Sequence, residues 1–209
     1  MSEQGSDAWK LERLGKATAR RVADLIAKTK SGWGASRANY AAQLIAERLT
    51  GVPQETYTNA AMQWGTTTEP EAVAAYEFYR DVSVERVGFV PHPRIDMAGC
   101  SPDGLVGNDG LVECKCPLTK THIETLLSGR VPSDYTPQIQ FQLACTGRAW
   151  CDFVSFDPRM PEEMRLFIGR VEREGKYIAE LEQMVGDFLA EVAAKTNTLT
   201  KKFAQKEAA

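Results

Sequence analysis

Residues 101–117 read SPDGLVGNDGLVECKCP and hold two short apolar segments on either side of a glycine-rich turn. An Asp-Gly pair between two such segments is a strong sign of a β-hairpin, and here the pair is Asp109-Gly110. In a hairpin with this turn, Asp103 at the start of the first strand lies near Glu113 on the second. The segment therefore predicts two antiparallel strands that bring two carboxylates together.

These two carboxylates share their part of the hairpin with a lysine. Glu113 and Lys115 are two residues apart and so point to the same face of the strand. Mg²⁺ binds through oxygen, typically one or two carboxylates plus substrate phosphates. A desolvated lysine crowded by metal charge can lose its proton below its ordinary pKa of about 10.4. With Asp103, this set suits metal-assisted phosphodiester hydrolysis. An exposed hairpin carrying a surface ion pair is the alternative, which the residues alone leave open.

The rest of the chain predicts helices around a sheet. Helical spacing of apolar residues marks segments 7–28, 37–50, 118–129, 134–146 and about 172–194. Short β-rich segments lie at 82–90, 94–98, 111–116, 149–156 and 165–171. Thr68-Glu69-Pro70-Glu71 reads as a capping box, which predicts a further helix from Thr68. We therefore expect an α/β (α+β) fold with a central mixed β-sheet flanked by helices, as one domain over 1–194 and a frayed tail over 195–209.

The charge of the chain is uneven. The 209 residues carry a net charge of −3, which by itself argues against nucleic acid as a ligand. Residues 1–50, however, hold nine Lys/Arg against five Asp/Glu, whereas residues 161–190 hold four against seven. Within the first segment, Arg13, Lys16 and Arg20 follow helical spacing and would form a cationic stripe. A weakly acidic chain can thus carry a basic surface at one end.

The composition also predicts a protein with reduced cysteines and without a membrane-spanning segment. No apolar run approaches the roughly 20 residues needed to span a bilayer. The N-terminal residues have no apolar segment of the signal-peptide kind, so we expect a cytoplasmic protein. Five cysteines are an odd number, and no C-x-x-C pair is present, which predicts free thiols rather than disulfides or a thiolate metal site.

Five motifs, taken in order, resemble a known nuclease family. Pro102-Asp103 and Glu113-Cys114-Lys115 resemble the core of the PD-(D/E)XK nuclease superfamily. The wider chain, from about residue 7 to 190, resembles the phage lambda-type exonuclease (YqaJ-like viral recombinase) family. The other matching motifs are Asp7-Ala8-Trp9 with Arg13-Leu14-Gly15, Trp64-Gly65 with Glu69, Tyr135-x-x-Gln138-x-Gln140, and Phe156-Asp157-Pro158-Arg159-Met160. The resemblance implies a restriction-endonuclease-like core.

The resemblance also implies a metal centre. Asp103 and Glu113 would be ligands, with the backbone carbonyl of Cys114 as a third. Glu69 would reach in from a helix toward a second ion. The implied cofactor is Mg²⁺, two ions per site, with Mn²⁺ able to substitute.

Further roles follow from the same resemblance. Lys115 would be the catalytic lysine. Gln138 would steady the site, with Tyr135 nearby.

One end of the site is implied to hold a terminal 5′-phosphate. Arg13 and Ser101 match the positions that bind it in the family. At a third position, where the lambda enzyme has a small hydroxyl residue, the alignment places Arg20, with Thr18 two residues earlier. The phosphate site is therefore expected to be built differently here.

The implied activity is Mg²⁺-dependent 5′→3′ digestion of one strand of linear double-stranded DNA to mononucleotides. It leaves a 3′ overhang for phage-type recombination by single-strand annealing. The implied partners are DNA ends, further copies in a ring-shaped homotrimer, and a single-strand annealing protein, inside a bacterial host cell. Two alternatives remain, namely a structure-specific DNA endonuclease on the same core and a catalytically silent DNA-end-binding subunit.

Overall fold

Residues 2–30, 32–54 and 59–204 are described by a computed structural model. The helices are α1 (Asp7–Glu12), α2 (Val22–Ile26), α3 (Ala35–Thr50), α4 (Ala60–Arg80), α5 (Thr119–Ser128), α6 (Thr136–Thr146) and α7 (Gly175–Ala204). The strands are β1 (Ala17–Thr18), β2 (Lys28–Thr29), β3 (Gly32–Trp33), β4 (Val84–Glu85), β5 (Val90–Pro91), β6 (Ala98–Cys100), β7 (Gly104–Val106), β8 (Gly110–Lys115), β9 (Trp150–Phe156) and β10 (Leu166–Glu172). The expected mixed sheet flanked by helices is confirmed.

The central sheet has the strand order β10-β9-β8-β7-β4. Strands β8 and β9 pair in parallel, whereas the other neighbours in this sheet are antiparallel. Strands β7 and β8 form the predicted hairpin, with Gly104 opposite Val112. Parallel neighbours need a long crossover connection, and the one between β8 and β9 carries α5 and α6.

Side-chain alternation along β8 separates the two faces of this sheet. Val112 and Cys114 are buried against α4, in a cluster that includes Tyr76. Leu111 is buried on the other face, against Ile139 of α6. Because alternate residues share a face, the side chains of residues 113 and 115 project on the side of α6.

A second small sheet, β1-β6-β5, joins the N-terminal segment to the body of the protein. Its buried residues share a core with α3, α6 and α7, in which the rings of Tyr40 and Phe188 stack 5.5 Å apart. The position of residues 13–20 is therefore fixed by long-range packing.

The predicted helix over 7–28 is wrong. Helix α1 ends at Glu12, and the chain turns at Gly15, whose φ is +65°. The Gly15 N–H donates to Glu47 Oε2 at 2.8 Å, and its carbonyl accepts from Arg48 Nε at 2.9 Å. These contacts with α3 outweigh the local helical pattern, so Arg13, Lys16 and Arg20 are not on one helix.

The predicted start of a helix at Thr68 is also wrong. Helix α4 begins eight residues earlier, where the Asn59 side chain accepts a hydrogen bond from the Met62 N–H at 2.9 Å. Pro70 lies inside the helix, at the cost of one backbone hydrogen bond. The capping-box pattern therefore marks no helix end here.

Several other predictions are close to the observed elements. Helix α3 ends at Thr50, as predicted, and is capped by Gly51, which has a φ of +69°. The predicted strand 82–90 is wrong as a single strand, because it contains β4 and the first residue of β5, and most of its residues lie outside strands. Helix α7 continues from the predicted end near residue 194 to Ala204, where a frayed tail was expected, and residues 205–209 lie outside the described part.

All five cysteines are buried, and none forms a disulfide. Within the described ranges, no helix combines the length and apolar character needed to cross a membrane.

Candidate active site

The predicted hairpin brings Asp103 and Glu113 to the floor of one cavity of about 670 Å³. Asp103 directly precedes β7, and β7 pairs with β8 only as far as Val112. Beyond that point the edge of β8 faces the Asp103 side chain, and the Cys114 N–H donates to Asp103 Oδ2 at 2.7 Å. All the predicted site residues except Thr18 line this cavity.

Glu113 is held on both of its carboxylate oxygens, and only 2% of the residue is exposed. Oε1 accepts from Lys115 Nζ and from Gln138 Nε2, the latter at 2.5 Å. Oε2 accepts from Gln142 Nε2 at 2.6 Å. The structure thus brings together the predicted Glu113, Lys115 and Gln138. Gln142 was missed, although its spacing of four residues from Gln138 on a helix could have indicated it.

The floor of the cavity is short of positive charge. Burial, followed by the charge of Glu113, raises the pKa of Asp103 well above its ordinary value. Burial by itself lowers the pKa of Lys115, but the charges of Glu113 and Asp103 outweigh it, so the pKa lies above its ordinary value. One ammonium therefore faces two buried carboxylates, an arrangement that favours a further cation.

The donors on this floor suit a hard cation. The N–H and C=O groups of one residue in a strand point to the same side, so the Cys114 carbonyl faces the same side as its N–H, toward Asp103. In the described ranges, no three His, Cys, Asp or Glu side chains are grouped to hold a metal by themselves. Two carboxylates and a carbonyl nonetheless match Mg²⁺, which completes its coordination with water and substrate phosphate.

Glu69 lies in the wall of the cavity, on α4. Its Oε1 accepts from Arg86 Nη1 at 2.9 Å, and the same nitrogen donates to the backbone carbonyl of Asp103 at 2.9 Å. Arg86 therefore ties α4 to the loop before β7 and keeps Glu69 beside the other carboxylates. Nothing in the local sequence pattern singles out Arg86, because its partners lie 17 residues away on either side.

A cationic corner forms the other end of the cavity. Arg13 Nη1 donates to Ser101 Oγ at 2.9 Å, and Trp9 Nε1 points to the same oxygen at 3.0 Å. The Arg13 guanidinium lies 4.2 Å from the centre of the Trp9 ring. Burial lowers its pKa, but a guanidinium stays charged in proteins. The described residues supply no carboxylate that pairs with Arg13, so its charge is available to an anion.

Arg20 and Thr18 differ in position. Exposed Arg20 lines both this cavity and an adjoining one of about 950 Å³. Thr18 is buried, lines only the adjoining cavity, and donates its backbone N–H to Tyr40 Oη at 3.0 Å. Arg13, Lys16 and Arg20 all line this second cavity although they are not on one helix.

Tyr135 closes the site beside α6. Its ring lies 5.4 Å from Lys115 Nζ and 5.0 Å from the ring of Phe153. Packing on a core residue fixes this ring next to the lysine, in agreement with its predicted place.

The motif at residues 156–160 does not line this cavity. Asp157 accepts from Arg159 Nε at 2.7 Å and from Thr119 Oγ1 at 2.7 Å, and Arg159 lies over the ring of Trp64. Although burial opposes it, these hydrogen bonds lower the pKa of Asp157 to about 2. The motif therefore joins α4 and the start of α5 to the end of β9.

The two histidines are structural. His122 is fully buried between Ser155 Oγ and the Met164 carbonyl oxygen, both 2.8 Å from a ring nitrogen. His92 stacks on Phe141 and lies 3.1 Å from a carboxylate oxygen of Glu182. Neither residue lines the candidate site.

The chain is similar to known proteins over nearly its whole length. The family model of the YqaJ-like viral recombinase domain matches residues 8–149, a range that contains every predicted site residue. Among solved structures, LHK-Exo in complex with dAMP is 50% identical, with a TM-score of 0.90 over 96% of this chain and 99% of that chain. A second LHK-Exo structure, an alkaline exonuclease from Laribacter hongkongensis, is 50% identical over the same shares, with a TM-score of 0.89.

A more distant structure shares the fold. A phage-related exonuclease from Haemophilus somnus 129PT is 13% identical, with a TM-score of 0.65 over 90% of this chain and 96% of that chain. A comparison with curated proteins finds no match.

Proposed function

We propose that this chain digests linear double-stranded DNA from the 5′ end in a Mg²⁺-dependent reaction. The chain belongs to the YqaJ-like viral recombinase domain family and is a DNA exonuclease. It degrades one strand to mononucleotides and leaves a 3′ overhang. The observation that carries this proposal is the single cavity in which Asp103, Glu113 and Lys115 lie beside the cationic corner of Arg13 and Ser101.

The similarity to LHK-Exo supports the product class. LHK-Exo binds dAMP, which is a deoxynucleoside monophosphate, the unit that hydrolysis from a DNA end releases. At 50% identity over 96% of the chain, the same product class is the simplest proposal for this protein.

The carboxylates give the site its metal-binding function. Asp103, Glu113 and the Cys114 carbonyl would hold one Mg²⁺, and Glu69 would contribute to a second. The bound ions supply charge that stabilises the attacking and leaving oxygens of the phosphodiester. Mn²⁺ would substitute, because it also takes carboxylate, carbonyl and water ligands.

Lys115 would be the base that accepts a proton from the attacking water. Its Nζ donates to Glu113 Oε1, and this negative neighbour keeps it protonated while the carboxylates carry their full charge. A cation held by Asp103 and Glu113 would supply positive charge and so lower the pKa of Lys115. After releasing its proton to solvent, the neutral Nζ would accept a proton from water beside the scissile phosphate.

The cationic corner would set the direction in which the strand is digested. Arg13 and Ser101 would bind the terminal 5′-phosphate, with Arg20 adding charge at the rim. Thr18 contributes at most through the adjoining cavity. A phosphate fixed in this corner places the next phosphodiester over Asp103 and Glu113, so cleavage proceeds from the 5′ end.

Replacing Arg13 with alanine should raise the KM for a 5′-phosphorylated duplex by roughly 10-fold, because a charge-assisted phosphate contact is lost. The preference for 5′-phosphate over 5′-hydroxyl ends should shrink accordingly. Steady-state rates of digestion of the duplexes with 5′-phosphate and 5′-hydroxyl ends measure both the KM and this preference. Lys10→Ala is the control, since Lys10 pairs with Asp7 at the exposed surface. An unchanged preference in Arg13→Ala would remove Arg13 from the phosphate site.

We further propose that digestion is processive, which calls for an assembly. Contacts to DNA phosphates are weakened by salt, with about 10³–10⁵ of affinity lost over a modest rise for six to ten contacts. A chain of 23.1 kDa is too small to encircle a duplex. We therefore propose a ring-shaped homotrimer, working in the cytoplasm of a bacterial host with an annealing protein that receives the 3′ strand.

Three DNA substrates test the proposed activity. Linear duplex with 5′-phosphate ends should yield acid-soluble nucleotides with Mg²⁺ and none with EDTA, and 5′-hydroxyl ends should react more slowly. Covalently closed circular duplex should stay intact, because an exonuclease needs an end. Cleavage of the circle would instead indicate an endonuclease, and binding without turnover a silent end-binding subunit.

A further inference from the structure

Helix α6 carries three glutamines at alternate positions, and two of them are almost fully buried. Gln140 and Gln142 are 2% and 1% exposed. Gln138 and Gln142 are one helical turn apart and meet the same carboxylate, that of Glu113. Gln140 turns away, donating to the Glu172 carbonyl at 2.7 Å and accepting from the Glu174 N–H at 2.9 Å. The helix thus offers two buried glutamines with different partners.

The amide of Gln142 has one atom in use and one without a partner. Its Nε2 donates to Glu113 Oε2 at 2.6 Å, which fixes the orientation of the amide, because the reverse would set two acceptors against each other. Its Oε1 is buried and accepts no hydrogen bond from the described residues. Gln142 also lines the cavity above the carboxylates. A buried acceptor in the wall of a polar cavity fits a hydrogen-bond donor within that cavity.

We propose that Gln142 is a second positioning residue for the metal-binding carboxylate, one that fixes Glu113 through Nε2 and accepts a hydrogen bond from a water of the bound cation through Oε1. The inference rests on the proposed metal-dependent function and names a residue for it. Gln138 and Lys115 both contact Oε1, which leaves Glu113 free to rotate about that oxygen. With Gln142 on Oε2, both oxygens are held and the carboxylate plane is set relative to Asp103.

The test compares Gln142→Met with Gln140→Met. Both changes remove a buried amide from the same helix and keep the side-chain length, but only the first touches Glu113. In calorimetric titration with Mn²⁺ without DNA, Gln142→Met should bind about 10–100-fold more weakly than the unmodified protein, as is typical for the loss of a partner of a metal ligand. Gln140→Met should bind Mn²⁺ as the unmodified protein does, while its Tm falls.

The outcomes separate this inference from the function on which it rests. Unchanged Mn²⁺ affinity in Gln142→Met would overturn the role of Gln142 and leave metal-dependent hydrolysis standing. An equal loss of affinity in Gln140→Met would also overturn it, since the effect would then come from packing. Absence of Mn²⁺ binding by the unmodified protein would overturn both.

A second measurement does not require the variant to fold. In the unmodified protein, Mg²⁺ should shift the side-chain amide ¹H–¹⁵N resonances of Gln142, while those of Gln140 stay in place. If the Gln142 resonances stay fixed at Mg²⁺ concentrations that saturate binding by calorimetry, the inference is overturned.

Discussion

Replacing Lys115 with methionine should lower the rate of DNA digestion by about 10²–10⁴-fold, the usual contribution of a group that transfers a proton in the transition state. Methionine keeps most of the length of the side chain and its place beside Tyr135, but it cannot exchange a proton. The acid-soluble nucleotide released from linear 5′-phosphorylated duplex in Mg²⁺ measures the loss. Binding of the same duplex with Ca²⁺ in place of Mg²⁺ should be largely retained, because Asp103 and Glu113 are unchanged.

Lys120→Met provides the matched control. Lys120 lies on α5 with 87% of its side chain exposed, and its Nζ lies 3.8 Å from Glu124 Oε1. Its loss should leave digestion unchanged. If Lys115→Met digested DNA at the normal rate, Lys115 would have no part in the mechanism. If it lost DNA binding as well as cleavage, Lys115 would be a structural or binding residue instead.

Replacing Asp152 with alanine should destabilise the protein by about 3–5 kcal/mol, as expected when one partner of a buried ion pair is removed. Asp152 is fully buried on β9 and accepts from Arg170 at 2.8 and 3.0 Å and from Tyr76 Oη at 2.9 Å. Burial and the neighbouring Asp152 raise the pKa of Tyr76, so its hydroxyl remains a donor. The side chain of Arg170 is 43% exposed and can turn to water, which places the expected loss near the lower limit.

Urea denaturation measures this loss against a total stability of about 5–15 kcal/mol for a typical domain. Asp187→Ala is the control, because Asp187 is exposed and accepts a hydrogen bond from Gln183 on its own helix. That change should stay within about 0.5 kcal/mol. Equal midpoints for the two variants would show that the Asp152 cluster contributes nothing to folding.

The centre of the site could be predicted from the sequence because its determinants are local. A three-residue turn, Gly107-Asn108-Asp109, sets the register of β7 and β8 by placing Val106 opposite Gly110, and that register alone places Asp103 beside Glu113. Strand alternation then assigns Lys115 to the face of Glu113. Contacts within about a dozen residues of chain are those that pattern and turn chemistry describe well.

Features set by distant contacts could not be predicted. The turn at Gly15 depends on Glu47, more than 30 residues away, whose carboxylate holds the glycine N–H. Arg86 reaches Glu69 only because α4 folds back over the hairpin. The four-residue spacing between Gln138 and Gln142 could have indicated Gln142. Its contact with Glu113, however, also requires the crossover between two parallel strands. Local periodicity carries no information on such pairings.

The crossover from β8 to β9 also has a consequence for biosynthesis. Glu113 and Lys115 leave the ribosome well before α6, whose glutamines hold the carboxylate. Helix α6 in turn buries Phe141 and Cys145 against Leu181 and Phe188 of α7, the last helix of the described chain. We expect the nascent chain to lack an ordered metal site until α7 has been synthesised and packs on α6. A nuclease built in this order acquires its cutting activity only after α7 has left the ribosome.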